Sequence, residues 1–457
     1  MELTMRSLKF GAAGMRGIVG RGLTPEAVTN FAAAFGTFCA GEPVMVATDS
    51  RVSSPMLKNA AIAALSSCGC EVVDAGIMPA GVVHYLIPRL KLKGGLLIGG
   101  GHQSSGWNAM IPLGSDGAYF NALRQRELLD IYHSNRFRSA AWDRLGKVSA
   151  LPVGAVSEYW DALSGRVDAA AIRRAGLTII VDYGNGAGAV LHEQLAERFG
   201  LNVIAINDRP NGFLPRDPEP RPRAGSPLRS IIKPLHAALG GVFNSDMSRL
   251  EIVTDQGEPL SEELTFPLAA DYWLSRRPAG AGVVVNSCSS RTLEEVVAAR
   301  GGRLEKTRVG QASVIDALKE SNAQLAGEGA GSFACCDWVK GFDALYALLV
   351  VVEAAAVRGK TVTELVQALP RYRIVKRTLP CLTAHAYALI RRAKQLFPTA
   401  ELSEVDGLRF DWPDGWLSIR LASTDQVIRL IAEADRPEIA REREMTVRTF
   451  LEREMNL

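Results

Sequence analysis

Along the first third of the chain, hydrophobic positions fall into two alternating textures. Short apolar runs that end in polar residues, "PVMVATDSR", "EVVDAGIMP" and "GGLLIGGG", predict strands. Between and before them, "LTPEAVTNFAAAFGTFCA", "SSPMLKNAAIAALSSCG" and "AGVVHYLIPRL" space their apolar residues at helical intervals. Thr24-Pro25-Glu26 reads as one helix start, and Ser53 or Ser54 ahead of Pro55 as the cap of another. Strands separated by helices imply a parallel sheet with helices packed on its faces.

The rhythm returns twice. "GLTIIVDYGNGAG", the helix "AVLHEQLAERFG" and the strand "LNVIAI" begin a second round, followed by the Pro-, Gly- and Arg-rich loop "NDRPNGFLPRDPEPRPRAGSP" and the predicted helix "LRSIIKPLHAAL". A third starts at "PAGAGVVVNSCSS" and passes through "RTLEEVVAARG" and "AQLAGEGAGSFACC" to the helix "ALYALLVVVEAAAVRG". From about Arg371 the elements shorten, and "GLRFDWPDGWLSIRLAS" reads as a hairpin turning at Pro413-Asp414-Gly415. The expected fold is α/β: three similar mixed-sheet α/β domains and a smaller C-terminal α+β domain. The expected divisions are 1–153, 154–258, 259–370 and 371–457.

Composition changes this picture little. The 457 residues are 47% hydrophobic and 22% charged, as in an ordinary globular protein. A formal charge of +3, without a basic run, argues against nucleic acid or a membrane surface as partner. Seven scattered cysteines form no CxxC pair, so they are expected as small buried residues rather than as a metal or redox site, Cys68-Gly-Cys70 and Cys335-Cys336 included. No signal-like or membrane-spanning run stands out, which makes the cytoplasm the expected location.

Candidate chemistry concentrates in loops. "LLIGGGHQSSGWNAMI", Leu96 to Ile111, has the strand, Gly-rich turn and polar cluster of a catalytic loop, yet its turn holds no nucleophile. Taken with "FGAAGMRG", "VATDSRVSSPML", "DAGIMPAG", "VDYGNGAG", "NGFLPRDPEP" and "KTRVG", in this order, the chain resembles the α-D-phosphohexomutase family from about Phe10 to Glu433. That family includes phosphoglucomutases, phosphomannomutases and phosphoglucosamine mutases. The resemblance implies four domains around a central cleft, one loop from each. It implies phosphoryl transfer between sugar hydroxyls through a phosphoserine and Mg²⁺.

Set against the family's loops, this chain departs in a pattern. The family's TASHNP and NGxK become Gly99-Gly100-Gly101-His102-Gln103-Ser104 and Asn108-Ala109-Met110-Ile111, which places Gly101 at the phosphoserine and Ile111 at the proton-moving lysine. Neither can do that work. His102 is retained, as is Arg16, and His102 reads either as functional or as a loop hydrogen-bonder. The metal loop DGDGDR becomes Asn244-Ser245-Asp246-Met247-Ser248-Arg249. Asp246, with Asn244 and Ser248 at the other ligand positions, is a weak metal site, or else pairs with Arg249. The sugar loop GExSGH becomes Gly327-Glu328-Gly329-Ala330-Gly331-Ser332, keeping Glu328. The phosphate loop RPSGTEPxxR becomes Arg420-Leu421-Ala422-Ser423-Thr424-Asp425 with Arg429, and is the least altered.

Expected substrate-binding residues are therefore Arg16, Glu328, Arg420, Ser423, Thr424 and Arg429. The first expectation is a non-catalytic homologue that binds a phosphosugar or similar anion, or a protein partner such as an active paralogue, with no cofactor. Two alternatives stay open. One is a working mutase with a displaced serine, Ser104 or Ser105, and Mg²⁺. The other is a different reaction on a related sugar phosphate using His102, Arg16 and Glu328.

Overall fold

The computed structural model describes residues 8–11, 14–329, 331–422 and 426–455. The helix Pro25–Phe38 starts where its sequence indicates, with the Thr24 hydroxyl accepting from the Ala27 amide. Ser53 precedes the helix Ser54–Ser67 but its side chain does not cap it; both serine hydroxyls instead accept from Asn108 Nδ2, at 3.0 and 3.1 Å.

Four sheets organise the described residues. The first runs Leu8–Gly11, Gly14–Ile18, Trp107–Gly114, Gly94–Ile98, Val44–Thr48, Val72–Ile77, Val148–Ala150. Its last four strands are mutually parallel, and Trp107–Gly114 runs against them. The second orders Leu250–Thr254, Leu239–Phe243, Thr178–Asp182, Asn202–Ile206, and the third Arg303–Thr307, Gly282–Asn286, Ala323–Glu328, Ser332–Cys335. Each of these two has three parallel strands and one antiparallel edge. The fourth sheet is antiparallel throughout: Arg373–Pro380, Val427–Ala434, Gly415–Leu421, Leu408–Trp412, Glu401–Ser403. Three mixed α/β domains and a smaller C-terminal α+β domain are thus present. The predicted hairpin turns at Pro413-Asp414, where Trp412 pairs with Gly415.

The predicted helix "LRSIIKPLHAAL" is cut short. Only Arg229–Ile232 is α-helical, because Pro234 has no N–H to continue the ladder and its ring disfavours helical backbone before it. The loop ahead of it contains a turn of helix at Pro222–Gly225.

One apolar core runs through the first three domains, from Met45 to Leu369, with the helix Ala344–Arg358 buried on nearly every side at its centre. Asp343 caps that helix, accepting from the Leu345 and Tyr346 amides at 3.1 Å, and also takes the Tyr159 hydroxyl and Trp338 indole N–H at 2.8 and 2.9 Å. The fourth domain has its own core but is tied to the third by Arg409. That side chain lies 4.3 Å from the Trp416 ring centroid and donates to the Ser287 carbonyl. Six of the seven cysteines are buried and all are free, as small apolar residues would be.

Glu251 breaks the pattern of a satisfied interior. It is buried, and neither carboxylate oxygen makes a well-formed hydrogen bond. Burial pushes its pKa up to about 8. The folded chain therefore holds a proton that the unfolded chain releases above the ordinary glutamate range, so this residue costs stability increasingly as pH rises toward 8. Glu251→Gln is expected to melt with wild type at pH 4 and several degrees above it at pH 8.5. Parallel melting curves at both pH values would refute the assignment.

Candidate functional site

The same construction recurs in the first three domains. A parallel strand ends, a loop follows, and the chain returns as an antiparallel strand: Gly94–Ile98 to Trp107–Gly114, Leu239–Phe243 to Leu250–Thr254, Ala323–Glu328 to Ser332–Cys335. The three loops at these carboxyl ends are those singled out in the sequence. Loops of this kind, outside strand ends, are where α/β folds place ligands.

The glycines of the first loop have a physical cause. Asp49 and Arg51, both 1% exposed, form an ion pair of 2.9 Å. Arg51 donates to the carbonyls of Ser104 (2.8 Å) and Gln103 (2.6 Å), and Asp49 accepts from the Gly100 amide (3.0 Å). A Cβ on Gly100 would lie 2.4 Å from the Arg51 guanidinium carbon, and one on Gly99 3.1 Å from the Asp49 carboxyl. The pair fills the space in which side chains would stand. Gly101 has φ +54°, a left-handed backbone that glycine adopts freely. Ile111 is buried within the apolar core, paired in register with Leu97.

The second loop closes on itself. Asp246 Oδ1 accepts from Asn244 Nδ2 (2.8 Å), the Ser248 amide (3.1 Å) and the Ser248 hydroxyl (2.6 Å). Burial pushes the Asp246 carboxyl up, against the pull of Ser248. Its other oxygen, Oδ2, faces the first loop: a Cβ on Gly101 would lie 3.0 Å from it. Ser245 joins the two loops directly, its hydroxyl donating to the Gly101 carbonyl at 2.7 Å. Arg249 does not pair with Asp246 as one expectation had it; its carboxylate partner is Glu219.

All four domains line one cavity of about 800 Å³. His102 enters it from the first, 3.8 Å from Glu219 and 3.1 Å from Gln103 Nε2, with a third of its side chain exposed. The Arg249 guanidinium, then burial, then Arg16, Arg221 and Arg429 hold its pKa well below the usual imidazole value. His102 is thus neutral at pH 7, inside a field set by cations of three domains. Around Arg249, burial works against the charge, while Glu219, Glu328 and Asp246 more than restore it. Glu328 is buried at the cavity wall, and Oε1 accepts from Asn286 Nδ2 (3.0 Å) and the Gly310 amide (3.1 Å). Arg420 is only 8% exposed and lines the cavity, with its Nε buried and unpartnered. Among the described residues its side chain makes no hydrogen bond or ion pair.

The structure therefore gathers His102, Glu328, Arg420 and Arg429 around one space, with Ser104 exposed at its wall. Arg16 stands near enough to act on His102 without lining the cavity, and Ser105 does not line it. Ser423 and Thr424 lie outside the described residues. Sequence reasoning missed Glu219, Arg221, Glu263, Lys376 and Asn286, all of which line the cavity. Only Glu219 carried a signal, standing in the quoted stretch "NGFLPRDPEP"; Lys376 sits in a strand whose alternation gives no hint of a site.

Three α/β domains and a smaller fourth domain thus bring residues to one arginine-rich cleft, the arrangement of the phosphohexomutase architecture. Residues 7–139, 157–257 and 261–372 match, in turn, the α/β/α domains I, II and III described as phosphoglucomutase/phosphomannomutase. The chain is 31% identical to the phosphoglucomutase/phosphomannomutase of Thermococcus kodakarensis over 442 residues, 95% of this chain and 96% of the other. A crystal structure of a phosphoglucomutase/phosphomannomutase family protein from Burkholderia thailandensis matches it with a TM-score of 0.83 and 25% identity, over 97% of this chain and 98% of the other. The chain belongs to the phosphoglucomutase/phosphomannomutase family, the α-D-phosphohexomutases.

The expectation of no cofactor is corrected by this membership, because the family works with Mg²⁺. A structure of Aspergillus fumigatus N-acetylphosphoglucosamine mutase, similar in fold (TM-score 0.57, 12% identity, 93% and 99% coverage), is of a complex with GlcNAc-6P and magnesium. Counting lost carboxylates misled, for Mg²⁺ commonly takes one or two carboxylates and completes its shell with phosphate oxygens and water. Among the described residues no three His, Cys, Asp or Glu cluster as ligands. Asp246 Oδ2, turned toward Gly101 and free of the loop's hydrogen bonds, fits such a reduced site. Among the same residues no helix is long and apolar enough to cross a membrane.

Proposed function

We propose that this chain binds a hexose phosphate in its four-domain cleft and does not run the phosphoserine-dependent mutase cycle. One observation carries the binding half. Arg420 stands at the cavity wall only 8% exposed, with its Nε out of water and, among the described residues, no carboxylate to receive it; a cation so placed is stabilised when an anion completes it. A phosphate suits the planar fork of donors. Arg429, paired in register with Arg420 on the neighbouring strand, adds a second cation. Glu328 Oε2, which takes neither of that residue's two hydrogen bonds, is the acceptor for sugar hydroxyls. Neutral His102 offers a ring N–H or lone pair to the ligand without adding charge.

The second half rests on Gly101 and Ile111. The first leaves no atom to carry phosphate, and the second puts a core side chain where a proton would be moved. Mg²⁺ would be held by Asp246 and the ligand's phosphate, where it supplies neutralisation of phosphate charge.

Thermal shift and calorimetric titration with glucose 6-phosphate test the binding half. A ligand of the folded state raises the melting temperature. Arg420→Ala is expected to weaken glucose 6-phosphate about 10- to 100-fold, the usual worth of a charge-assisted hydrogen-bond partner. Unchanged affinity would mean that Arg420 faces no ligand phosphate.

A further inference from the structure

The sugar-binding loop has lost two of its family's polar side chains, and the structure holds a residue in position to replace them. The imidazole position is Ser332, which is fully buried with an unpartnered hydroxyl, in register opposite Glu328. It cannot reach the cavity. Beside the loop stands Glu263, which precedes the helix Thr265–Ser275 and lines the same cavity as Glu328 and Arg420. Its carboxylate lies against Gly329: a Cβ there would meet Oε1 at 2.7 Å and Oε2 at 3.0 Å. Glycine at 329 is thus what lets Glu263 sit next to Glu328.

Glu263 is also held from across the cleft. Lys376, on the first strand of the fourth domain, reaches Glu263 Oε1 at 2.6 Å and pairs with Glu262 as well. Glu262 in turn faces Arg221 of the second domain at 3.6 Å. Lys376 thus holds the Glu263 carboxylate through Oε1, while Arg221 meets the neighbouring Glu262, and Oε2 takes no part in these ion pairs. A carboxylate accepts hydrogen bonds only, so two of them side by side call for a ligand that presents donors. Arg420 in the same cavity, nine-tenths buried and without a hydrogen-bond or ion-pair partner among the described residues, calls for an anionic group on that ligand.

We infer that Glu263 is a second sugar-recognition carboxylate, which together with Glu328 receives ring hydroxyls of a hexose phosphate while Arg420 receives the phosphate. The assignment rests on the proposed binding function. It predicts selectivity that a scaffolding role would not produce, because Glu263 touches the sugar and not the phosphate.

Calorimetric titration of the full chain with two probes, glucose 6-phosphate and inorganic phosphate, tests it. Glu263→Gln keeps the shape and removes the charge. Its affinity for glucose 6-phosphate is expected to fall on the order of 10-fold or more, with affinity for inorganic phosphate unchanged. Gly329→Ala is expected to give the same selective loss, since the new methyl group displaces the carboxylate without altering it. Equal affinities for glucose 6-phosphate in wild type and both variants would overturn the inference. So would parallel losses for both probes, which would mark Glu263 as structural. If wild type binds inorganic phosphate but not glucose 6-phosphate, the sugar contact fails while anion binding stands. If it binds neither, the proposed function fails and this inference with it.

Discussion

Replacing Arg51 with methionine is expected to destabilise the chain by about 3–5 kcal/mol, the cost of leaving a buried carboxylate without its cation. Asp49 is 1% exposed and would keep only neutral donors: the backbone amide of residue 51 at 3.0 Å, the Gly100 amide and the Ser54 hydroxyl at 2.8 Å. The carbonyls of Gln103 and Ser104 would lose their donor at the same stroke. Denaturant unfolding monitored by circular dichroism measures the loss. The loop from Gly99 to Ser104 should also become accessible to protease before the rest of the domain opens. Asp49→Asn/Arg51→Met together should cost less than Arg51→Met alone, because the double change removes the orphaned charge. A loss below about 1 kcal/mol for Arg51→Met would place the pair among surface-like ion pairs and contradict its assigned role.

Phosphosugar turnover is expected to be absent. With glucose 1-phosphate, the matching bisphosphate and Mg²⁺ in a coupled assay, the chain should stay at background. Losing the nucleophile of a covalent mechanism costs on the order of a millionfold in turnover, and the residual from binding and electrostatics is small. Restoring the hydroxyl should not restore the rate. In Gly101→Ser the side chain would start from a left-handed backbone at φ +54°, with its Cβ 3.0 Å from Asp246 Oδ2. Ile111 would still offer no proton, and Ser248 would still stand where the family has a carboxylate. Ser104 is exposed at the cavity wall, but its hydroxyl is hydrogen-bonded to no base among the described residues. Turnover at the level of an ordinary mutase, in wild type or in Gly101→Ser, would refute this account.

Periodicity made the architecture readable because each domain repeats one device, a strand that ends in a polar loop. Where it failed, the reason was local: Pro234 broke a pattern that looked helical. The site was half readable. Glycines 99 and 100 look like missing side chains in the sequence, yet they are space ceded to Arg51 and Asp49, and the retained "DSR" was the clue. Glu263 and Lys376 could not be found from sequence, because they act through a contact between domains and lie 113 residues apart. The cofactor was misjudged by treating ligand count as decisive when a phosphate oxygen can stand in for a carboxylate.

The fate of a bound bisphosphate decides the central question most directly. Intact-mass spectrometry of the chain, after incubation with glucose 1,6-bisphosphate and Mg²⁺, should return the unmodified mass. A gain of one phosphoryl group per chain, mapped to any side chain in the cleft, would show that a covalent relay survives and that the chain is a working mutase.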